Sequence, residues 1–151
     1  MLKKGVKIRL GGFKVQAVPL QHNCECYGYL IEHNSIGKLM FATDCNSVPY
    51  RFKNVNHFII EANNDVDEMI DNLCNNDFSM SQNENHMEIS NTIDFLKHNY
   101  SSEIQSVVLI HLSDTNINAN KVVTKVKNEL GFDNVHVAKK GLEIPLMLSE
   151  F

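Results

Sequence analysis

The sequence has 151 residues, of which 43% are hydrophobic and 21% are charged, with 3 Pro and 7 Gly. This mix predicts one compact domain over residues 1–151 and excludes disordered, collagen-like and low-complexity classes. No apolar run approaches the roughly 18 residues of a membrane span, and we expect neither a span nor a signal peptide. The net charge of −4 and interspersed charges do not have the usual signature of a nucleic-acid-binding domain.

The cysteines are predicted to be buried or half-buried free thiols in a reducing cytoplasm. A disulfide framework belongs to secreted proteins, and nothing in the sequence indicates secretion. A structural zinc site normally shows two Cys pairs at short spacing, whereas this chain has one lone Cys-x-Cys. The four cysteines are Cys24, Cys26, Cys45 and Cys74.

The first half of the chain is predicted to form antiparallel hairpins. Apolar residues alternate with polar ones on both sides of the Gly11-Gly12 pair, which is typical of a hairpin. Two further apolar runs flank the polar segment 34–37 and predict a second hairpin. The predicted strands are 6–10, 13–20, 27–32, 38–43 and 56–61.

In the second half the hydrophobic period changes to that of helices alternating with strands. Three helices are predicted: one over Val66–Leu73, one over Ile89–Leu96 with Ser90 or Asn91 as N-cap, and one over Val122–Leu130 that Gly131 ends. The predicted strands are 106–110, 134–138 and 142–146. This order predicts an α/β (α+β) fold with a mixed sheet and helices on one face.

Three strongly coordinating side chains follow predicted strands. His22 follows the run that ends at Leu20, Asp44 follows Leu39–Thr43, and His111 follows Val107–Ile110. Strand ends in α/β sheets are where ligand-binding groups converge, and two imidazoles with a carboxylate suit Zn²⁺, Mn²⁺ or Fe. The alternative is that each is a loop residue that makes local hydrogen bonds.

Five strings of the sequence, in this order and spacing, resemble the second half of the metallo-β-lactamase superfamily. The similarity is greatest to its nuclease-like branch, which includes tRNase Z and the YycJ/WalJ-type proteins, and it runs from about Val6 to Leu146. It implies the C-terminal half of an αββα sandwich. The strings are Pro19–Leu30, Met40–Cys45, Ile59–Asp65, Asn85–Asn91 and Leu109–Asn116.

The resemblance implies a role for each matching residue. His22 takes the position of a ligand to a first metal, His111 that of a ligand to a second, and Asp44 that of a carboxylate bridging the two. A hydroxide held between such ions attacks the substrate. His86 matches the residue that helps to protonate the leaving oxygen. Glu61 and Asn63 match a motif that orients the ligands, and we predict His86 and Glu61 as catalytic residues.

The superfamily's His-x-His-x-Asp-His tract does not occur in the sequence. Each metal would therefore have two protein ligands instead of the usual three, and the chain alone is expected to be inactive. Half of a sandwich would also expose an apolar sheet face. We expect a second chain carrying the missing N-terminal half, or self-association, to complete it.

Two functions remain open at this point. One is a metal-dependent hydrolase half that cleaves phosphodiesters of nucleic acid, with zinc the first choice of metal and manganese or iron the others. The alternative is a non-catalytic half-fold that binds a partner or dimerises, in which the ligand residues are idle.

Overall fold

The computed structural model describes residues 5–63, 86–112 and 118–148. Within these ranges the chain forms one seven-stranded mixed sheet and two helices. The strands are β1 (Lys7–Leu10), β2 (Phe13–Pro19), β3 (Tyr27–His33), β4 (Gly37–Ala42), β5 (His57–Glu61), β6 (Ser106–Ile110) and β7 (Val135–Val137), and the helices are α1 (Ile89–His98) and α2 (Ala119–Leu130).

The strands lie side by side in chain order, which gives the sheet two halves of different character. Strands β1 to β4 pair antiparallel, so both predicted hairpins are confirmed. Strands β4 to β7 pair parallel, with α1 preceding β6 and α2 preceding β7 in the chain. Parallel strands place their carboxyl ends at one edge of the sheet, and residues that follow β4, β5 and β6 therefore meet there.

The helices pack on one face of the sheet, as predicted. Cross-strand neighbours Met40, Phe58 and Val107 belong to the same buried core as Leu96 of α1 and Val122 of α2. Burial of each such side chain stabilises the fold by about 1.5–3 kcal/mol. This core fixes the sheet beneath the loops that carry the candidate site.

The opposite face of the sheet has its own apolar residues, which lie outside that core. Leu39 and Val108 are buried there, whereas their neighbours Phe41 and Ile59 are only half-buried. The cross-strand pairs show that these residues share one face. The sheet therefore presents a partly covered apolar surface on the side away from the helices.

Two predicted elements differ from the structure. Helix α1 begins at Ile89 with Glu88 as N-cap, so the expectation of Ser90 or Asn91 was wrong. The helix starts earlier because Ile89 is fully buried in the core. The segment 142–146 pairs in no ladder among the described residues; it keeps alternating burial, but Pro145 lacks the amide donor that a ladder needs.

The predicted helix that Gly131 ends is confirmed, but it begins at Ala119, three residues before Val122. Helix α2 ends at Gly131, which adopts the left-handed conformation at φ 61°, and Asn118 caps its start by accepting from the amides of Asn120 and Lys121. The helix predicted over Val66–Leu73 lies outside the described residues. Among those described, no helix is long and apolar enough to cross a membrane.

The cysteines are free thiols wherever the structure describes them. Cys45 is buried and Cys26 half-buried, but Cys24 is exposed, which corrects the expectation for that residue. Cys24 lies in the polar loop between β2 and β3, where no core side chain covers it. Cys74 is outside the described residues.

Candidate metal centre

Asp44 and His111 lie where parallel strands β4 and β6 end. Asp44 is two residues beyond Ala42, and His111 directly follows Ile110. Both adopt left-handed backbone conformations, at φ 52° and 57°. Such a conformation costs a residue other than glycine on the order of 1–3 kcal/mol, and it persists only where the surroundings enforce it.

Two side chains that follow or end β5 hold these turns. The Oε2 atom of Glu61 accepts a hydrogen bond of 3.1 Å from the amide of Cys45, next to Asp44. The amide group of Asn63 donates to the carbonyl of His111 at 2.7 Å. The segment Glu-Ala-Asn at the end of β5 thus fixes the backbone of the turns that follow the two neighbouring strands, β4 and β6.

Glu61 is fully buried, and its carboxylate also holds two imidazoles. Its Oε1 atom is 2.6 Å from Nδ1 of His86 and 3.0 Å from Nδ1 of His111. Because a carboxylate accepts, both rings carry their proton on Nδ1, and in the neutral rings Nε2 is left with a lone pair. The two rings meet edge to face with centroids 4.8 Å apart.

The structure brings Asp44, His86 and His111 together as one donor group. Their potential ligand atoms lie within 4.8 Å of one another. The Asp44 side chain is 59% exposed and that of His111 43%, so the group opens to solvent. Two imidazole nitrogens and a carboxylate oxygen, oriented from behind by Glu61, fit a divalent cation such as Zn²⁺.

His22 lies outside that triad, in the loop between β2 and β3. Its Nδ1 accepts a hydrogen bond from the amide of Cys24 at 3.3 Å. The loop adjoins the centre, since the thiol of Cys26 donates to the carbonyl of Asp44 at 3.2 Å. Asp44, Glu61, His86 and His111 thus form one cluster, and His22 belongs to its neighbouring loop.

The nearby thiols are held in the protonated form. Burial raises the pKa of Cys45 to about 12, with a further contribution from the Glu61 carboxylate. Burial and Asp44 raise the pKa of Cys26. At neutral pH these raised pKa values favour the oxygen and nitrogen donors of the cluster over the thiols as ligands for a cation.

A cleft of about 510 Å³ is lined by near neighbours in sequence of the site residues, and no sequence pattern predicted it. Its wall includes Gln21, Asn46 and Met87, which are one or two residues from His22, Asp44 and His86. Arg51 contributes a guanidinium with no ion-pair partner among the described residues. A polar loop sequence carries no periodic signal for such a cleft, because the connection between β4 and β5 (residues 46–51), Gln21 and helix α1 assemble it from distant parts of the chain.

Comparison with known structures identifies the fold. YhfI of Bacillus subtilis, a metallo-β-lactamase fold protein, superposes with a TM-score of 0.68 at 16% identity over 93% of this chain. A diphosphatase of the PhnP family gives 0.60 at 17% identity over 93%, and isothiocyanate hydrolase from Delia radicum gut bacteria 0.62 at 12% over 99%. The chain therefore has the metallo-β-lactamase fold.

The chain spans about half the length of these proteins: 52% of YhfI, 46% of the diphosphatase and 60% of the isothiocyanate hydrolase. No protein-family model and no curated protein matches the sequence. At 12–17% identity these likenesses show the fold of this chain.

Proposed function

We propose that this chain is the C-terminal half of a metal-dependent hydrolase that cleaves phosphodiester bonds in nucleic acid. The observation that carries the proposal is the buried Glu61 carboxylate, which holds His86 and His111 beside the exposed Asp44. A buried carboxylate costs several kcal/mol unless it is well partnered. Its placement behind two imidazoles serves a site rather than the core.

Asp44, His111 and His22 are the proposed metal ligands, with zinc the first choice and manganese or iron the alternatives. The Asp44 side chain is 59% exposed, which suits a carboxylate shared between two ions. When bound, a divalent cation would supply Lewis-acid polarisation and lower the pKa of water.

His86 is the proposed general acid. Its Nδ1–H donates to Glu61, so the doubly protonated ring carries its second proton on Nε2 and gives that proton to the leaving oxygen. Glu61 is a positioning residue in this scheme, because it stabilises the protonated imidazole and sets its orientation without touching substrate.

The cleft is the proposed binding site for the part of the substrate that flanks the scissile phosphate. Arg51 offers a planar cation for a neighbouring phosphate, and Tyr50, which is 39% exposed, offers a ring face to a base. We expect Arg51→Ala to raise KM for a nucleic-acid substrate about tenfold with little change in kcat, as measured by steady-state kinetics.

The apolar sheet face away from the helices is the proposed contact for a complementary half. Phe41 and Ile59 are half-buried there, and the chain matches about half of each solved structure. That half would supply the His-x-His-x-Asp-His ligands, and we expect a separate chain to carry it. Alternatively, a second copy of this chain covers the apolar sheet face. The free thiols suit the cytoplasm as its location.

The test compares His22→Ala with His86→Ala, and His136→Ala on β7 is the matched control. Zinc and manganese content is measured by elemental analysis, and hydrolysis of bis(p-nitrophenyl) phosphate is measured with the complementary half present. We expect His22→Ala to lose metal and His86→Ala to keep metal but lose kcat. Loss of metal in the His86 variant would make His86 a ligand and overturn its role as the acid.

A non-catalytic partner-binding role is the second candidate, because the chain alone offers fewer ligands than a catalytic zinc site has. The absence of metal and turnover in both the isolated chain and its complemented form would favour this role. It would also overturn the hydrolase proposal.

A further inference from the structure

The hairpin β1–β2 carries a group of cations far from the candidate metal centre, and we propose that it binds the phosphate backbone of a nucleic acid. The group, here called the basic strip, consists of Lys7, Arg9 and Lys14. It adds a substrate-binding surface to the proposed function and depends on that function only for the claim that the bound nucleic acid is cleaved.

The strand register places the basic strip on one side of the hairpin. Lys7 pairs with Gln16 and Arg9 with Lys14, and paired residues in an antiparallel ladder point to the same face. All three cations are exposed and line a concavity of about 380 Å³. The surface is therefore shaped to receive a ligand and is not a flat solvated strand.

Nearby carboxylates neutralise little of the positive charge of the basic strip. Glu32 is the carboxylate of this concavity, and its oxygen is 3.9 Å from Nζ of Lys14, with both side chains well exposed. Lys7 and Arg9 have no ion-pair partner among the described residues. An exposed pair at this distance is weak, so the strip keeps most of its positive potential.

The sequence reinforces this asymmetry, which the net charge of −4 conceals. Five of the 14 Lys and Arg residues lie within the first 24 positions, and the first acidic residue is Glu25. The charges are thus segregated and not interspersed as the sequence analysis took them to be. A local cationic surface on an acidic protein favours a polyanion that contacts several phosphates at once.

The distance between the basic strip and the metal centre determines how long a nucleic-acid substrate must be to contact both. Strand β2 leads from Lys14 to Pro19, three residues before His22. Five residues of strand cover about 17 Å, and a nucleic-acid strand rises about 3.4 Å per stacked nucleotide. A substrate that reaches both regions therefore extends about five nucleotides beyond the bond that is cut.

The experiment measures binding of a fluorescein-labelled 12-nucleotide single-stranded RNA by fluorescence anisotropy between 50 and 200 mM salt. The test variant carries Lys7→Gln, Arg9→Gln and Lys14→Gln. The control variant carries Lys53→Gln, Lys139→Gln and Lys140→Gln, three exposed lysines elsewhere, and has the same net charge. Circular dichroism verifies that both variants fold.

We expect the test variant to bind about tenfold more weakly than the control at 50 mM salt, with a salt slope reduced by about 2. Equal affinity of the two variants would overturn the proposal, as would binding to phosphatidylserine vesicles without binding to RNA. RNA binding that survives in Glu61→Gln, with no hydrolysis by the wild-type complemented enzyme, would overturn the hydrolase proposal alone and leave the strip as a binding site.

Discussion

The two ends of strand β5 place buried polar side chains in opposite situations. His57 begins the strand, and its Nδ1 is 2.8 Å from the hydroxyl of Ser106, while Nε2 has no hydrogen-bond partner among the described residues. Glu61 ends the strand, and its two oxygens engage the Cys45 amide and the imidazoles of His86 and His111. Both residues are buried, at 1% and 0% exposure.

The two ends of β5 differ in whether the histidine ring is enclosed in the fold or accessible to a ligand. At the start of β5 the imidazole is enclosed, and burial lowers the pKa of His57, so the neutral ring is the stable form. At the end of β5 the buried group is the carboxylate, and the imidazoles lie outside it, with His111 43% exposed. Only the second arrangement leaves ring nitrogens accessible to a ligand.

The largest effect is expected from removing the charge of Glu61. In Glu61→Gln the side chain keeps its shape and an acceptor for the Cys45 amide but loses the charged acceptor for two Nδ1–H groups. Metal affinity is expected to fall roughly 10- to 100-fold, as measured by isothermal titration with Zn²⁺.

The control for that variant is Glu32→Gln, an exposed carboxylate on β3. Its metal affinity should equal that of the wild type. If Glu61→Gln also binds like the wild type, then Glu61 does not position the ligands, and the contrast between the two ends of β5 fails.

At the other end of the strand, Ser106→Ala should affect stability and not metal binding. The change removes the Ser106 hydroxyl from Nδ1 of the buried His57 ring, which costs about 1–2 kcal/mol of unfolding free energy. Urea denaturation measures this loss. Ser35→Ala removes a similar contact from His33, which is only half-buried, and should cost much less.

The sequence predicted Asp44 and His111 because each follows an apolar run and parallel strands bring such positions to one edge. It indicated Glu61 through its motif, but the register that places this carboxylate behind two rings comes from tertiary structure. No sequence pattern indicates the enclosure of His57, because it depends on strands that pair from distant parts of the chain. Local pattern likewise suggested a strand at 142–146, where no neighbouring strand exists among the described residues.

The smallest expected effect is the pH dependence that His57 adds to stability. Burial depresses its pKa below the usual 6.5, although the Ile36 backbone opposes this in part. In the window between the depressed pKa and about 6.5 the unfolded chain binds the extra proton, so stability falls as pH decreases through it. The slope from one site is at most about 1.4 kcal/mol per pH unit. His57→Gln should lose this component in urea denaturation between pH 7.5 and 5, whereas His136→Gln should keep it; identical profiles for the two variants would show that the enclosed ring does not control the acid sensitivity of the fold.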